Sequence, residues 1–111
     1  MGSLKGFESL SDSKEFSSVY KDAKKWHNDA CVLFYRPSQV NKIAVVASKK
    51  VGKAVIRNRY KRLLRSAFVI VLPEIVGGTY VMIAKQDLDK MSFVDIVKKL
   101  RWSFKKIGCL K

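Results

Sequence analysis

The chain has 111 residues, 48% hydrophobic and 11% aromatic, which is enough for one core and excludes general disorder. Lys and Arg number 23 against nine Asp and Glu, a formal net charge of +14. Such an excess strains a compact fold by self-repulsion, so a polyanionic partner is the simplest reason to keep it, either nucleic acid or an anionic membrane.

In chain order, "MGSLKGFESLSDSKEF" holds no apolar signal core, which argues against secretion and for a cytoplasmic protein. Met1-Gly2-Ser3 reads either as a myristoylation start or as a cloning remnant. "DSKEFSSVYKDAK" places Phe16, Val19, Tyr20 and Ala23 at i, i+3, i+4 and i+7, the spacing of a short amphipathic helix. Asp12 and Glu15 form a plausible N-cap pair for it. "CVLFYRP" and "KIAVVAS" read as strands, and "PSQVN" between them can reverse the chain, which predicts an antiparallel pair.

"KKVGKAVIRNRYKRLLR", residues 49–65, carries eight Lys or Arg among seventeen residues and no acid. With Ile56 at zero on a helix of 100° per residue, Tyr60, Leu63, Leu64, Ala67 and Val71 fall between about −20° and +80°, with Phe68 near 120°. Lys61, Arg65, Asn58 and Arg62 fall between about 140° and 240°, while Arg57 and Arg59 flank the apolar stripe. An ordinary solvated helix face intersperses acids as i, i+4 partners, and this face has none. The pattern therefore points to phosphate binding, and the arginines around Asn58 suit bidentate contacts.

The helix should stop before Pro73. The apolar run at residues 67–84 approaches bilayer-spanning length, but Pro73-Glu74 and Gly77-Gly78 divide it into a helix end, a loop and the strand "TYVMIAK". "SFVDIVKKLRWSFKKIG" reads as a closing helix, with Ser92 and Asp95 as a capping box and Gly108 as its stop. Phe93, Val97, Leu100, Phe104 and Ile107 make its apolar stripe. The predicted order is α-β-β-α-β-α in a single domain over residues 1–111, an α/β (α+β) sandwich with helices on a small mixed sheet.

Cys31 and Cys109 lack metal-type spacing and read as two free thiols, and His27 reads as a surface residue. No Ser-His-Asp set, paired carboxylates or metal-ligand spacing is visible, so no catalytic residue and no metal site is assigned to the protein.

"SKKVGKAVIRNRYKRLLR" resembles the signature of the bacterial ribonuclease P protein component, a Lys-Lys-Val-Gly approach leading into an Arg-Asn-Arg core. "EFSSVYKDAK", "CVLFY" and "YVMIAK" resemble that family's first helix, first strand and later strand, so the likeness covers nearly the whole chain. The resemblance implies a ribosomal-protein-type fold with a left-handed β-α-β crossover, although general physics favours the right-handed form in roughly 98% of cases. It further implies an RNA-binding subunit of an endonuclease that removes the 5′ leader from precursor tRNA, with hydrolysis by a catalytic RNA and its Mg2+. No membrane and no protein partner is implied.

The resemblance carries Lys49, Lys50, Lys53, Arg57, Asn58, Arg59, Lys61, Arg62 and Arg65 to the surface for the catalytic RNA. It carries Phe16, Tyr20, Val32 and Phe34 to a cleft for the precursor leader, where core packing is the competing reading. Asp12 departs from the family, which usually has a basic residue there. The rival functions are a structural ribosomal-type RNA-binding protein, a protein-only nuclease using Asp87 and Asp89, and a DNA-binding helix-turn-helix.

Overall fold

A computed structural model describes residues 6–10 and 12–111, so Met1-Gly2-Ser3 lie outside it. In chain order its elements are β1 (Glu8–Ser9), α1 (Ser13–Asp22), β2 (Lys24–His27), β3 (Cys31–Arg36), β4 (Lys42–Val46), α2 (Ala54–Val71), β5 (Thr79–Ala84) and α3 (Phe93–Lys106). The strands form one mixed sheet in the order β1-β4-β5-β3-β2. β4 runs parallel to β1 and β5, whereas β3 is antiparallel to β5 and β2.

The predicted hairpin between "CVLFYRP" and "KIAVVAS" is not formed: β5 lies between β3 and β4. The reason is burial. β5 is apolar on both faces, with Tyr80, Val81 and Met82 fully shielded, and such a strand gains most from a central place with partners on both sides. Two strands go beyond the predicted set. β1 is two residues long and β2 is "KKWH", both too short and too polar to show a period. Lys24 and Lys25 suit β2 to an edge, where charge deters pairing with another chain.

α2 and α3 cover one face of the sheet and α1 the other. The larger core joins Cys31, Leu33, Tyr35, Tyr80 and Met82 of the sheet to Leu64, Ala67, Phe68 and Val71 of α2 and Ile96, Leu100 and Phe104 of α3. Tyr80 is its centre, with ring centroids of Tyr35, Phe104, Phe68 and Phe7 at 4.9, 5.4, 5.6 and 5.9 Å. Its hydroxyl donates to the Val76 carbonyl, which satisfies the one polar atom of the ring. The smaller core places Val19 of α1 against Phe34, Ala44 and Val81. Cys31 and Cys109 are free and buried, and burial pushes their thiols up to about 12 and about 11, so both stay protonated at neutral pH.

The helix ends follow local chemistry. Asp12 caps α1 by accepting from the Lys14 amide at 2.9 Å, and Glu15 reaches across to Lys42 at 2.8 Å instead of closing a capping box. Ser92 Oγ caps α3 by accepting from the Asp95 amide. At its other end Gly108, at φ +78°, lets the Cys109 and Gly108 amides donate to the Phe104 and Lys105 carbonyls, a Schellman closure. α2 ends at Val71 in a 3-10 turn, Leu72–Glu74, that contains Pro73. No helix among the described residues is long and apolar enough to cross a membrane.

Gly78 sets the entry to β5. Its φ is +145°, and a Cβ there would lie 2.8 Å from Tyr35 Cε1 and 2.9 Å from the Arg36 carbonyl oxygen. Gly78→Ala should therefore lower stability by more than about 1 kcal/mol. A denaturant melt checks this, and an unchanged midpoint would show that the loop accommodates a side chain.

Candidate nucleic-acid interface

The approach to α2 concentrates positive charge. Lys49–Val51 form a 3-10 turn, Gly52 follows at φ +143°, and Lys53 occupies the N-cap without a side-chain cap bond. A Cβ on Gly52 would meet Ile56 Cδ1 at 3.1 Å, so the turn packs directly on the first turn of the helix. Lys49, Lys50 and Lys53 are all exposed beside the positive end of the helix dipole, and the first turn has no acid. This arrangement costs folding stability and favours an anion.

Along α2 the buried residues are Tyr60, Leu64, Ala67, Phe68 and Val71. Ile56 is 40% exposed, so it does not anchor the stripe. The buried direction is rotated by about 60° from Ile56 at 100° per residue, toward Arg57. Arg57 is accordingly half-buried, its Nε shielded from solvent with no protein acceptor, rather than on the rim opposite Arg59. Asn58, Arg59 and Arg62 are exposed, and Lys61 and Arg65 are half-exposed. The four ion pairs among the described residues all lie elsewhere, so these cations have no countercharge from that source.

Arg59, Arg62, Leu63 and Ser66 form one wall of an open cavity of about 490 Å³ that Phe93 of α3 completes. The Tyr60 hydroxyl donates to Asp89 Oδ1 at 2.6 Å, tying the first half of α2 to the 3-10 turn before α3. That bond holds the Asp89 carboxyl below the usual range and raises the Tyr60 phenol. Asp87 pairs with Lys90 at 3.5 Å, so the two aspartates are engaged separately.

The second surface lies across the sheet, beside α1. Val32 and Phe34 share the α1 face of β3, as two-residue spacing requires. Register aligns Ala44, Val81, Phe34 and Lys25 in one row and Val46, Ile83, Val32 and His27 in the next. α1 covers the first row: Phe34 is only 7% exposed and belongs to the core. Phe16, Val32, Val46 and Ile83 are half-buried around it, and Tyr20 is 41% exposed. The rings of Tyr20 and Phe16 lie 6.0 Å apart, and Tyr20 is 4.9 Å from Phe34.

The four residues assigned to a cleft thus divide. Phe16, Tyr20 and Val32 line an open surface, while Phe34 supports it from below. Val46 and Ile83 extend that surface and were missed. Their two-residue spacing was visible, but nothing local tells which face of a buried strand α1 will leave uncovered. Lys25 Nζ stands 5.7 Å from the Phe34 ring centroid, and an Arg36 guanidinium nitrogen donates to Ser18 Oγ, so cations flank the apolar floor. Asp12 has a structural task as the cap of α1.

A cationic helix face that makes none of the four ion pairs and a partly exposed aromatic surface on the far side of the same small sheet form a two-surface arrangement. A sequence model of ribonuclease P matches residues 4–108, almost the whole chain. The chain belongs to the ribonuclease P protein family. It is 39% identical over 109 residues to the ribonuclease P protein component of Nitratiruptor sp., covering 89% of this chain and all of that one. The Geobacillus kaustophilus component is 36% identical over 106 residues, covering 92% and 88%.

Among solved structures, the ribonuclease P protein of Thermotoga maritima superposes with a TM-score of 0.79 at 27% identity, covering 90% of this chain and 97% of that one. The Staphylococcus aureus protein, at 24% identity, has the same fold, with a TM-score of 0.79 over 93% and 97%. As a ribonuclease P protein, the chain is the RNA-binding component of an endoribonuclease of tRNA 5′ maturation, and its partner is the ribonuclease P RNA.

Proposed function

We propose that α2 and its approach bind the catalytic RNA while the α1 cleft holds the 5′ leader of precursor tRNA. The cationic face of α2, which takes part in none of the four ion pairs among the described residues, carries this reading. Lys49, Lys50 and Lys53 form an electropositive entry, and Asn58, Arg59, Lys61, Arg62 and Arg65 present donors to phosphate and sugar. Arg57, partly enclosed, orients this surface as much as it contacts RNA. The leader rests on Phe16, Tyr20 and Val32 above Phe34. Stacking on aromatics makes little demand on sequence, which suits leaders of many sequences.

The protein contributes binding and charge, and the RNA contributes hydrolysis. Mg2+ belongs with the RNA in this reading, while Asp87 and Asp89 pair with Lys90 and Tyr60 respectively. The whole chain acts as a single domain in the cytoplasm and needs no further protein partner.

The test is reconstitution. Purified protein should leave precursor tRNA intact, and adding the cognate RNA should release the leader. Dependence on the protein should be greatest at low Mg2+, where protein cations replace metal ions in screening phosphates. Site-specific cleavage by RNA-free protein would overturn this division of labour.

A further inference from the structure

A third surface lies at the opposite edge of the sheet from β1, where β2 meets α3, and neither RNA-facing region described above includes it. Both tryptophans of the chain are there. Their rings meet edge to face with centroids 5.4 Å apart, and Trp26 packs on the larger core. Trp102 remains 46% exposed, although Lys106 Nζ stands 5.5 Å from its ring.

Lys98 and Lys106 lie four residues before and after Trp102, and Lys105 three after, so all three neighbour the indole on one helix face. All three are exposed, as is Lys24 of the adjoining strand. The nearby acids are otherwise placed: Asp29 pairs with Lys99 at 3.2 Å, Glu74 with Arg101 at 2.9 Å, and Asp95 is in the first turn of α3. The helix dipole accounts for Lys105 and Lys106 in the last turn. It does not account for Lys98, nor for a large exposed indole between cations.

We infer that Trp102, bracketed by Lys98, Lys105 and Lys106 and backed by Trp26, is a stacking site for an unpaired base of single-stranded RNA. The lysines span about 12 Å of helix axis and take the phosphates on either side of that base. Charge selects an anionic partner, and the exposed ring favours nucleobases over a purely acidic chain. The inference rests on RNA being this chain's partner, but it concerns a surface that the α2 and cleft readings do not use.

The protein carries its own reporter, because both fluorescent indoles lie in the patch. Titrating the full chain with a short oligoadenylate should quench tryptophan emission, and a duplex of equal length should not. Trp102→Ala should abolish the change in the remaining Trp26 emission and weaken oligonucleotide binding at this site roughly 5- to 150-fold. Lys98→Ala combined with Lys106→Ala, which leaves both rings in place, should shift the quenching curve to higher RNA concentration.

Three results would overturn the assignment. One is binding of dye-labelled oligoadenylate, seen by anisotropy, with unchanged tryptophan emission; that outcome would leave the leader cleft untouched. Another is equal quenching by duplex, which would mean charge without stacking. The third is equal quenching by polyglutamate, which would assign the patch to an acidic polypeptide.

Discussion

Phe34→Ala is expected to lower the stability of the free protein by about 3–5 kcal/mol, the usual cost of emptying a buried phenylalanine site. The ring is 7% exposed and sits among Val19, Ala44 and Val81, in a core with few other large side chains. Small domains have only about 5–15 kcal/mol in total, so the shift in a denaturant midpoint should be large. The variant's effect on RNA should follow its loss of folded protein and so fall alike on precursor and mature tRNA.

Tyr20→Ala is the counterpart on the same wall. The ring is 41% exposed, and its partial burial raises the phenol above its ordinary range. Its loss should leave the melt nearly unchanged and weaken holoenzyme binding of precursor tRNA by about 1–3 kcal/mol. Mature tRNA, which lacks a leader, should bind as before. If the two variants behave alike in both assays, the division between floor and wall is wrong.

The double variant Arg59→Ala with Arg62→Ala is expected to produce the largest loss of affinity for the catalytic RNA. Both side chains are exposed and border the cavity completed by Phe93, so removing them leaves Tyr60, Leu64 and Phe68 in their packing. Two phosphate contacts fewer should flatten the slope of log K against log salt by roughly two units or less. Melting temperature should hold or rise, since two positive charges have left a chain of net charge +14. Filter binding across a salt series, together with a thermal melt, decides the matter. A lower melting temperature with an unchanged salt slope would make these arginines structural.

What the sequence determined by itself was whatever neighbours in the chain decide. α2 and α3 announce themselves through a 3.6-residue period, Ser92 and Gly108 mark the ends of α3, and Pro73 ends α2. The cationic face of α2 is legible because opposite faces of one helix are set by spacing alone. The long Lys-Lys-Val-Gly to Arg-Asn-Arg stretch carries the family, and residues 4–108 bear it out.

Tertiary structure decided the pairings and the final few tens of degrees. β5 enters between β3 and β4 because a strand apolar on both faces competes best for the centre, and no local turn signal reports that competition. β1 and β2 are the two edge strands, each held by one neighbour, β4 and β3 respectively. Arg57 is half-enclosed and Ile56 exposed because α2 settles with Leu64, Ala67 and Phe68 against the sheet, which rotates the first turn with them. Phe34 and Val32 have the same spacing and the same face, yet one is floor and the other rim. Which one α1 covers depends on where Val19 packs, a contact between distant parts of the chain.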